Sequence, residues 1–153
     1  MRLFLLRHGL AGTGEDPALT PKGQKRVSKV AAFLAKAEVA PTRICHSHLR
    51  RAKETAELAG RVVAPGVALE EIDGLLPEDD PHKARDVIEN SATDLMLVGH
   101  MPHLGMLASL LLTGRKDGVG ISFARAGVVC FERPEKSYGW YLDWSIRPGL
   151  IKK

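Results

Sequence analysis

The chain has 153 residues, of which 44% are hydrophobic and 26% are charged, and these values are ordinary for a soluble globular protein. The formal net charge of +4 favours anionic partners, but aromatic residues make up only 5% and do not alternate with basic ones, which argues against nucleic-acid binding. No apolar run approaches the roughly 20 residues of a membrane span, and no secretory signal is visible, so we expect one cytoplasmic domain over residues 1–153 without a membrane partner.

Strand and helix patterns alternate along the first half of the chain. Leu3 to Leu6 is a continuous apolar run, typical of a strand that is covered on both faces. Thr20 and Pro21 are a suitable N-cap and first residue for a helix, whose inward positions are Val27, Val30, Ala31 and Leu34. A second strand is predicted at 43–46, a second helix at 49–59 and a connector at 60–66. The inward positions of the second helix are Ala52, Thr55, Ala56 and Ala59.

The second half continues the alternation. A short strand is predicted at 69–72, and the acidic segment 77–81 is a loop before a short helix that ends near Asn90. The strand at 95–98 precedes a helix that starts after Pro102, ends at Gly114 and buries Leu104, Leu107, Ala108 and Leu111. Strands at 138–143 and 128–132, joined by a turn at Pro134, come last. This order predicts a three-layer αβα sandwich whose mostly parallel sheet has an antiparallel edge.

Polar side chains follow three of these strands. They are Arg7, His8 and Gly9, then His46, Ser47, Arg50 and Arg51, and finally Gly99 and His100. Ligands of such folds bind at the carboxyl ends of the strands, and burying several unpaired cations together is costly. A bound phosphoryl group would explain them, because arginine holds phosphate oxygens and helix N-termini add N–H donors. A neutral imidazole can attack phosphorus while its other nitrogen donates to a backbone carbonyl.

Four motifs at these positions resemble the histidine phosphatase superfamily, which has the phosphoglycerate-mutase-like fold. They are R-H-G at 7–9, L-T-x-x-G at 19–23, S-x-L-x-R-A-x-x-T at 47–55 and G-H at 99–100. The short chain and its ending W-x-I-x-P-x-x-I from Trp144 are most similar to the small phosphohistidine phosphatases of the SixA type. The resemblance implies a metal-independent phosphatase that needs no cofactor and forms a covalent phosphohistidine intermediate on His8.

The resemblance also implies a role for the other matching residues. Arg7 and Arg51 bind the phosphoryl group, His100 donates to it in the transition state, and Ser47 supports the site. We read Gly9 as the residue that lets backbone and phosphate come close. Glu78, with its neighbours Asp79 and Asp80, is the candidate general acid. The alternative is that this acidic loop is solvated and caps the following helix.

Several positions leave alternatives open. Asp16 to Ala18 stand where many SixA-type sequences have an arginine, for which Lys22 is the candidate replacement, and His48 stands where proline is more common. Arg50 is expected at the surface. His46, His48 and His103 have spacings that occur in metal sites, but the neighbouring arginines disfavour a cation. The cluster Lys22, Lys25, Arg26 and Lys29 fits the solvated face of one helix.

The expected substrate is phosphohistidine on a protein, such as a phosphorelay or phosphotransfer protein. Its imidazole leaving group is less basic than an alkoxide, so it needs less help from an acid. The connection from Leu69 to Leu95 is too short to roof the site, which would admit a protein side chain. The alternatives are a small phosphate ester as substrate, or a non-catalytic phosphoprotein-binding module.

Overall fold

The computed structural model describes residues 1–136 and 138–152, and a six-stranded sheet forms its centre. The strands are β1 (Arg2–Arg7), β2 (Arg43–His46), β3 (Leu69–Glu71), β4 (Leu95–Gly99), β5 (Val128–Glu132) and β6 (Tyr141–Ile146). Their order in the sheet is β3-β2-β4-β1-β5-β6. The pairs β3–β2, β2–β4 and β4–β1 are parallel, whereas β1–β5 and β5–β6 are antiparallel. The predicted mixed sheet with its antiparallel edge is confirmed.

Helices cover both faces of the sheet. They are α1 (Pro21–Lys36), α2 (Arg50–Val63), α3 (Pro81–Glu89) and α4 (His103–Thr113), and a short 3₁₀ turn follows at Pro148–Leu150. Successive side chains of a strand point to opposite faces. Phe4 and Leu6 therefore pack in the core beneath α1 and α2, while Leu3 and Leu5 pack in the core beneath α3 and α4. This burial on both sides explains the continuous apolar run of β1 and completes the predicted αβα sandwich.

No helix in the described part of the chain is long and apolar enough to cross a bilayer.

The second helix is longer than predicted. We expected a connector from Gly60, but α2 continues through this residue to Val63. A Cβ atom at Gly60 would lie 3.3 Å from Ile44 Cδ1 and 3.2 Å from Leu69 Cδ2. The glycine therefore marks close packing of a helix on its sheet and not the end of the helix.

Two details of the second half also differ from expectation. The last strand spans Tyr141–Ile146 instead of 138–143, because its pairing with β5 sets its position: Tyr141 lies opposite Glu132 and Ile146 opposite Val128. Its side chains are mostly exposed, so hydrophobic alternation could not locate it. In α4, Leu110 is buried and Leu111 is only partly buried.

Candidate active site

Three parallel strands deliver the predicted polar residues to one edge of the sheet. Arg7 at the end of β1 lies opposite Gly99 at the end of β4, and His46 at the end of β2 lies opposite Val98. The next residues therefore meet. The ring centroids of His8 and His100 are 5.0 Å apart, and Ser47 Oγ lies 2.6 Å from His100 Nε2. The expected convergence of these strand ends is present in the fold.

His8 is buried and its ring is held by the adjacent backbone. Its Nδ1 lies 2.7 Å from the carbonyl oxygen of Gly9, an acceptor, so Nδ1 carries the proton and Nε2 keeps its lone pair. Burial lowers the pKa of His8 to about 4, and the positive charges of Arg51, Arg7 and Arg125 act in the same direction, against the opposing effect of the Gly9 hydrogen bond. The side chain is therefore a neutral imidazole with a free nucleophilic nitrogen at neutral pH.

Gly9 is required for the packing of α1. A Cβ atom here would lie 2.7 Å from Val27 Cγ2 and 3.3 Å from the carbonyl oxygen of Gly23, both in α1. The N–H of Gly9 donates to Thr55 Oγ1 at 3.0 Å, which ties the segment after His8 to α2. The close packing of α1 therefore explains why residue 9 is a glycine, and the close approach of phosphate to its backbone stays a prediction.

Arg7 and Arg51 approach the two histidines from different elements. The Nη1 of Arg7 donates to the carbonyl oxygen of Phe123 at 2.8 Å, and its Nε is buried without a hydrogen-bond partner among the described residues. Arg51 is half-buried in the first turn of α2, and its charge lowers the pKa of both His8 and His100. Arg50 is exposed, as expected, and pairs with Glu54 at 2.9 Å.

Arg125 is a third cation at the site that the sequence did not reveal. It lies in the turn before β5. The residue after it, Ala126, donates its N–H to the carbonyl oxygens of Arg7 and His8, both at 3.1 Å. The Arg125 side chain is exposed, and its charge lowers the pKa of Arg7 and His8. Because β5 is antiparallel to β1, the amino end of β5 lies at the edge of the sheet that carries His8. A sequence search that considers only the residues after each strand therefore overlooks Arg125.

His100 is almost fully buried beside His8. Its Nε2 is hydrogen-bonded to Ser47, whereas its Nδ1 is buried and has no partner in the described part of the protein. Burial lowers the pKa of His100 to about 3, and the neighbouring His8 and Arg51 lower it further. Ser47 Oγ also accepts the N–H of Leu49 at 3.3 Å. The second histidine is therefore neutral as well, and it has one ring nitrogen to offer to a ligand.

The other histidines do not gather into a metal site. His46 Nδ1 lies 2.7 Å from the carbonyl oxygen of Ser47, His48 is exposed, and His103 is buried in the first turn of α4. Within residues 1–136 and 138–152, no group of three or more histidine, cysteine or acidic side chains is arranged to hold a metal ion.

The acidic loop has two carboxylates with local structural tasks. Asp79 Oδ2 accepts the N–H of Leu76 at 2.9 Å, and Asp80 is the N-cap of α3, where its Oδ1 accepts the N–H of His82 at 3.0 Å. These contacts are those of a loop that caps the next helix. Glu78 is exposed beside them, and its role as a general acid stays a prediction.

The segment that lacks the expected arginine has another function in the fold. Asp16 Oδ1 accepts the N–H of Arg50 at 2.9 Å, so this carboxylate interacts with the amino end of α2. Lys22, the candidate replacement, lines a groove between α1 and the C-terminal residues Ile151 and Lys152, and its role in place of the arginine stays a prediction.

Comparisons with known proteins identify the family and the fold. A sequence profile described as histidine phosphatase superfamily (branch 1) matches residues 3–76. An uncharacterized protein of Picosynechococcus sp. is 33% identical over 140 residues, which cover 84% of this chain and 83% of that protein.

Two solved structures have the same fold. The protein histidine phosphatase SixA, solved with tungstate, is 22% identical, with a TM-score of 0.89 over 99% of this chain and 100% of that chain. A phosphoserine phosphatase from Entamoeba histolytica, in complex with 3-phosphoglyceric acid, is 17% identical, with a TM-score of 0.71 over 94% of this chain and 95% of that one. The solved structures show that this chain has their fold, and the superfamily profile shows that it is a phosphatase and belongs to the histidine phosphatase superfamily.

Proposed function

We propose that this protein hydrolyses phosphohistidine on another protein, without a metal ion, through a phosphorylated His8. The observation that carries the proposal is the state of His8: its Nδ1 is anchored to Gly9, its pKa is lowered to about 4, and cations surround it. An imidazole that is neutral and fixed in one tautomer has a lone pair ready for attack on phosphorus.

The reaction has two displacements at phosphorus. In the first, Nε2 of His8 forms a bond to phosphorus while the bond to the substrate's imidazole nitrogen breaks, and the leaving ring departs neutral because its other nitrogen carries a proton. In the second, water attacks phosphorus, the bond to Nε2 breaks, and inorganic phosphate leaves. The released proton goes to phosphate or solvent, and Nδ1 keeps its proton and its bond to Gly9 throughout.

Charge on the transferring group is neutralised by residues from several elements. Three equatorial phosphoryl oxygens need donors in the transition state. Arg7 comes from β1 and Arg51 from α2, and Arg125 adds positive charge at the exposed side. If the hydroxyl group of Ser47 donates a hydrogen bond to Nε2 of His100, the ring proton of His100 is on Nδ1. That nitrogen, which is buried without a partner among the described residues, then donates to the phosphoryl group.

The preference for a phosphohistidine protein rests on three considerations. The fold is similar to that of the protein histidine phosphatase SixA. Asp79 and Asp80 are engaged in the loop and helix cap, and a weakly basic imidazole leaving group has little need of an acid. Between β3 and β4 the chain has only residues 72–80, the nine-residue α3 and residues 90–94, which is little to cover the site against a protein.

A small phosphate ester is the second candidate substrate. The similarity of the fold to that of a phosphoserine phosphatase favours it, and in that case Glu78 is the acid available to protonate an alkoxide. A non-catalytic phosphoprotein-binding module is the third possibility that the experiment must separate.

The test is phosphate release from histidine-phosphorylated proteins, free phosphohistidine, phosphoserine and sugar phosphates. We expect the wild type to favour phosphohistidine proteins, to work in excess chelator, and to yield His8 phosphorylated at nitrogen when quenched with base. His8→Ala abolishes release, whereas His82→Ala, which removes an exposed histidine, keeps it. Activity in His8→Ala would overturn the covalent mechanism, and tight binding without phosphate release would identify a binding module.

A further inference from the structure

Helix α1 carries positive charge that the proposed reaction does not use. Its 16 residues include five cations and no acidic residue: Lys22, Lys25, Arg26, Lys29 and Lys36. Like charges three or four positions apart repel one another, and a cation in the first turn opposes the helix dipole. None of the five forms an ion pair with another described residue. The charges of the first three turns are therefore uncompensated within the described chain, and an external anion would neutralise them.

The cations line a groove and not a convex surface. The groove has a volume of about 870 Å³ and lies between α1 and the C-terminal residues Ile151 and Lys152. Ala32, Phe33 and Ile151 give it an apolar floor, and Phe33 is 37% exposed. Every charged side chain that lines it within the described chain is positive. The groove thus combines a basic rim with an apolar floor, unlike a purely solvated helix face.

One end of α1 lies against the segment that follows His8. Thr20 donates its N–H to the carbonyl oxygen of Leu10 at 3.0 Å. A Cβ atom at Gly23 would overlap that same carbonyl group, and one at Gly9 would contact Val27. The first two turns of the helix therefore pack through their buried face on residues 9 and 10, and the groove lies on the exposed face of the same helix.

We propose that this groove, lined by Lys22, Lys25, Arg26, Lys29, Phe33, Lys36, Ile151 and Lys152, binds an acidic amphipathic helix of the phosphorylated protein substrate. The proposal rests on the proposed function and names the surface that recruits its substrate. Carboxylates of the bound helix pair with the rim, and its apolar side chains cover Phe33 and Ile151, as in other helix-in-groove complexes. A helix as long as α1 spans about 24 Å. Duplex nucleic acid would use the charges but not the apolar floor.

The first test separates recruitment from chemistry. The double variant Lys25→Gln, Lys29→Gln removes two groove charges, and Arg61→Gln, Lys116→Gln removes two charges outside the groove. On a histidine-phosphorylated protein with an acidic helix, we expect kcat/KM of the groove variant to fall about ten-fold, the equivalent of 1.4 kcal/mol. The lower kcat/KM should come mainly from a higher KM. The difference from the wild type should shrink at high salt, and it should be far smaller on free phosphohistidine. Equal losses on both substrates, or in both variants, would overturn the proposal.

The second test measures binding without hydrolysis. The probe is a fluorescent 16-residue helical peptide with glutamate and leucine on opposite faces. It is compared with duplex DNA and with phosphatidylglycerol vesicles. We expect the wild type and the control variant Arg61→Gln, Lys116→Gln to bind the peptide. The groove variant should lose peptide binding, while its midpoint of urea unfolding at low salt is unchanged or raised. Preference for DNA or vesicles would overturn the proposal. If the wild type hydrolyses no phosphohistidine, the proposed function fails, and peptide binding alone decides the role of the groove.

Discussion

The two ring nitrogens of His100 differ in their surroundings, and this difference sets what the residue can do. Nε2 lies 2.6 Å from Ser47 Oγ, and Nδ1 is buried with no partner in the described residues. A buried polar atom without a partner destabilises a fold, so Nδ1 of His100 is a candidate donor to a ligand. Ser47 was expected only to support the site, but it is the hydrogen-bond partner of His100 Nε2, and we predict that it orients the ring and favours the tautomer with the proton on Nδ1.

Replacing Ser47 tests this positioning role. In Ser47→Ala, Nε2 of His100 loses its partner, and an unsatisfied buried group costs about 1–3 kcal/mol. We expect kcat on free phosphohistidine to fall about ten-fold or more, with KM changed less, because the tautomer that donates to the phosphoryl group is no longer favoured.

The control for this measurement is Ser28→Ala on the exposed side of α1, which should behave as the wild type. Ser47→Thr keeps a hydroxyl and should recover part of kcat. A variant Ser47→Ala that is less stable but has unchanged kcat would show that the serine is only structural.

At the scale of single elements, the start of α1 explains the L-T-x-x-G motif. Leu19 is buried in the core, Thr20 caps the helix by accepting the N–H of Gly23 at 2.9 Å, and Gly23 leaves room for the carbonyl group of Leu10. The three residues have different tasks, but all of them hold α1 against the segment after His8. The motif therefore packs α1 against the segment that follows His8, the proposed nucleophile.

Two substitutions separate these tasks. Thr20→Ala removes the cap and should lower the free energy of unfolding by about 1 kcal/mol. Gly23→Ala forces a Cβ atom into the Leu10 backbone and should cost about 3 kcal/mol, and it should also reduce kcat, because Leu10 and Gly9 must shift. Urea unfolding and phosphate release measure both effects. Equal stability of Gly23→Ala and the wild type would contradict the close contact.

At the scale of the whole molecule, buried neutral histidines couple stability to pH. The pKa of His8 is lowered to about 4 and that of His100 to about 3, mainly by burial. The unfolded chain, whose histidines titrate near pH 6.5, binds more protons than the folded protein below that pH. Stability is therefore complete above about pH 6.5 and is lost as the pH falls toward 4.

Unfolding as a function of pH tests this coupling. Between pH 6.5 and 4.5, each of the two histidines should remove about 1 kcal/mol of stability per pH unit. His100→Gln cannot be protonated, so its stability should decline less steeply, whereas the exposed control His82→Gln should keep the wild-type slope. Identical slopes for all three proteins would show that His100 is not buried as a neutral ring.

The sequence by itself determined the parallel part of the fold and its motifs. Leu3 to Leu6 is apolar without interruption because the strand is covered on both faces, and Thr20 begins a helix because its hydroxyl accepts a backbone N–H. Both effects act over a few residues, so a local pattern records them. The rule that ligands meet at strand ends then predicted that His8 and His100 would be neighbours.

Only the tertiary structure decided the features that depend on distant partners. The position of β6 follows from its register with β5, and the continuation of α2 through Gly60 follows from its packing on Ile44 and Leu69. The charge of Arg125 acts on His8 because the amino end of the antiparallel strand β5 lies at the same edge of the sheet. The basic groove exists because C-terminal residues lie beside α1. Contacts between residues far apart in the chain leave no periodic signal, and they are formed only when the whole chain packs.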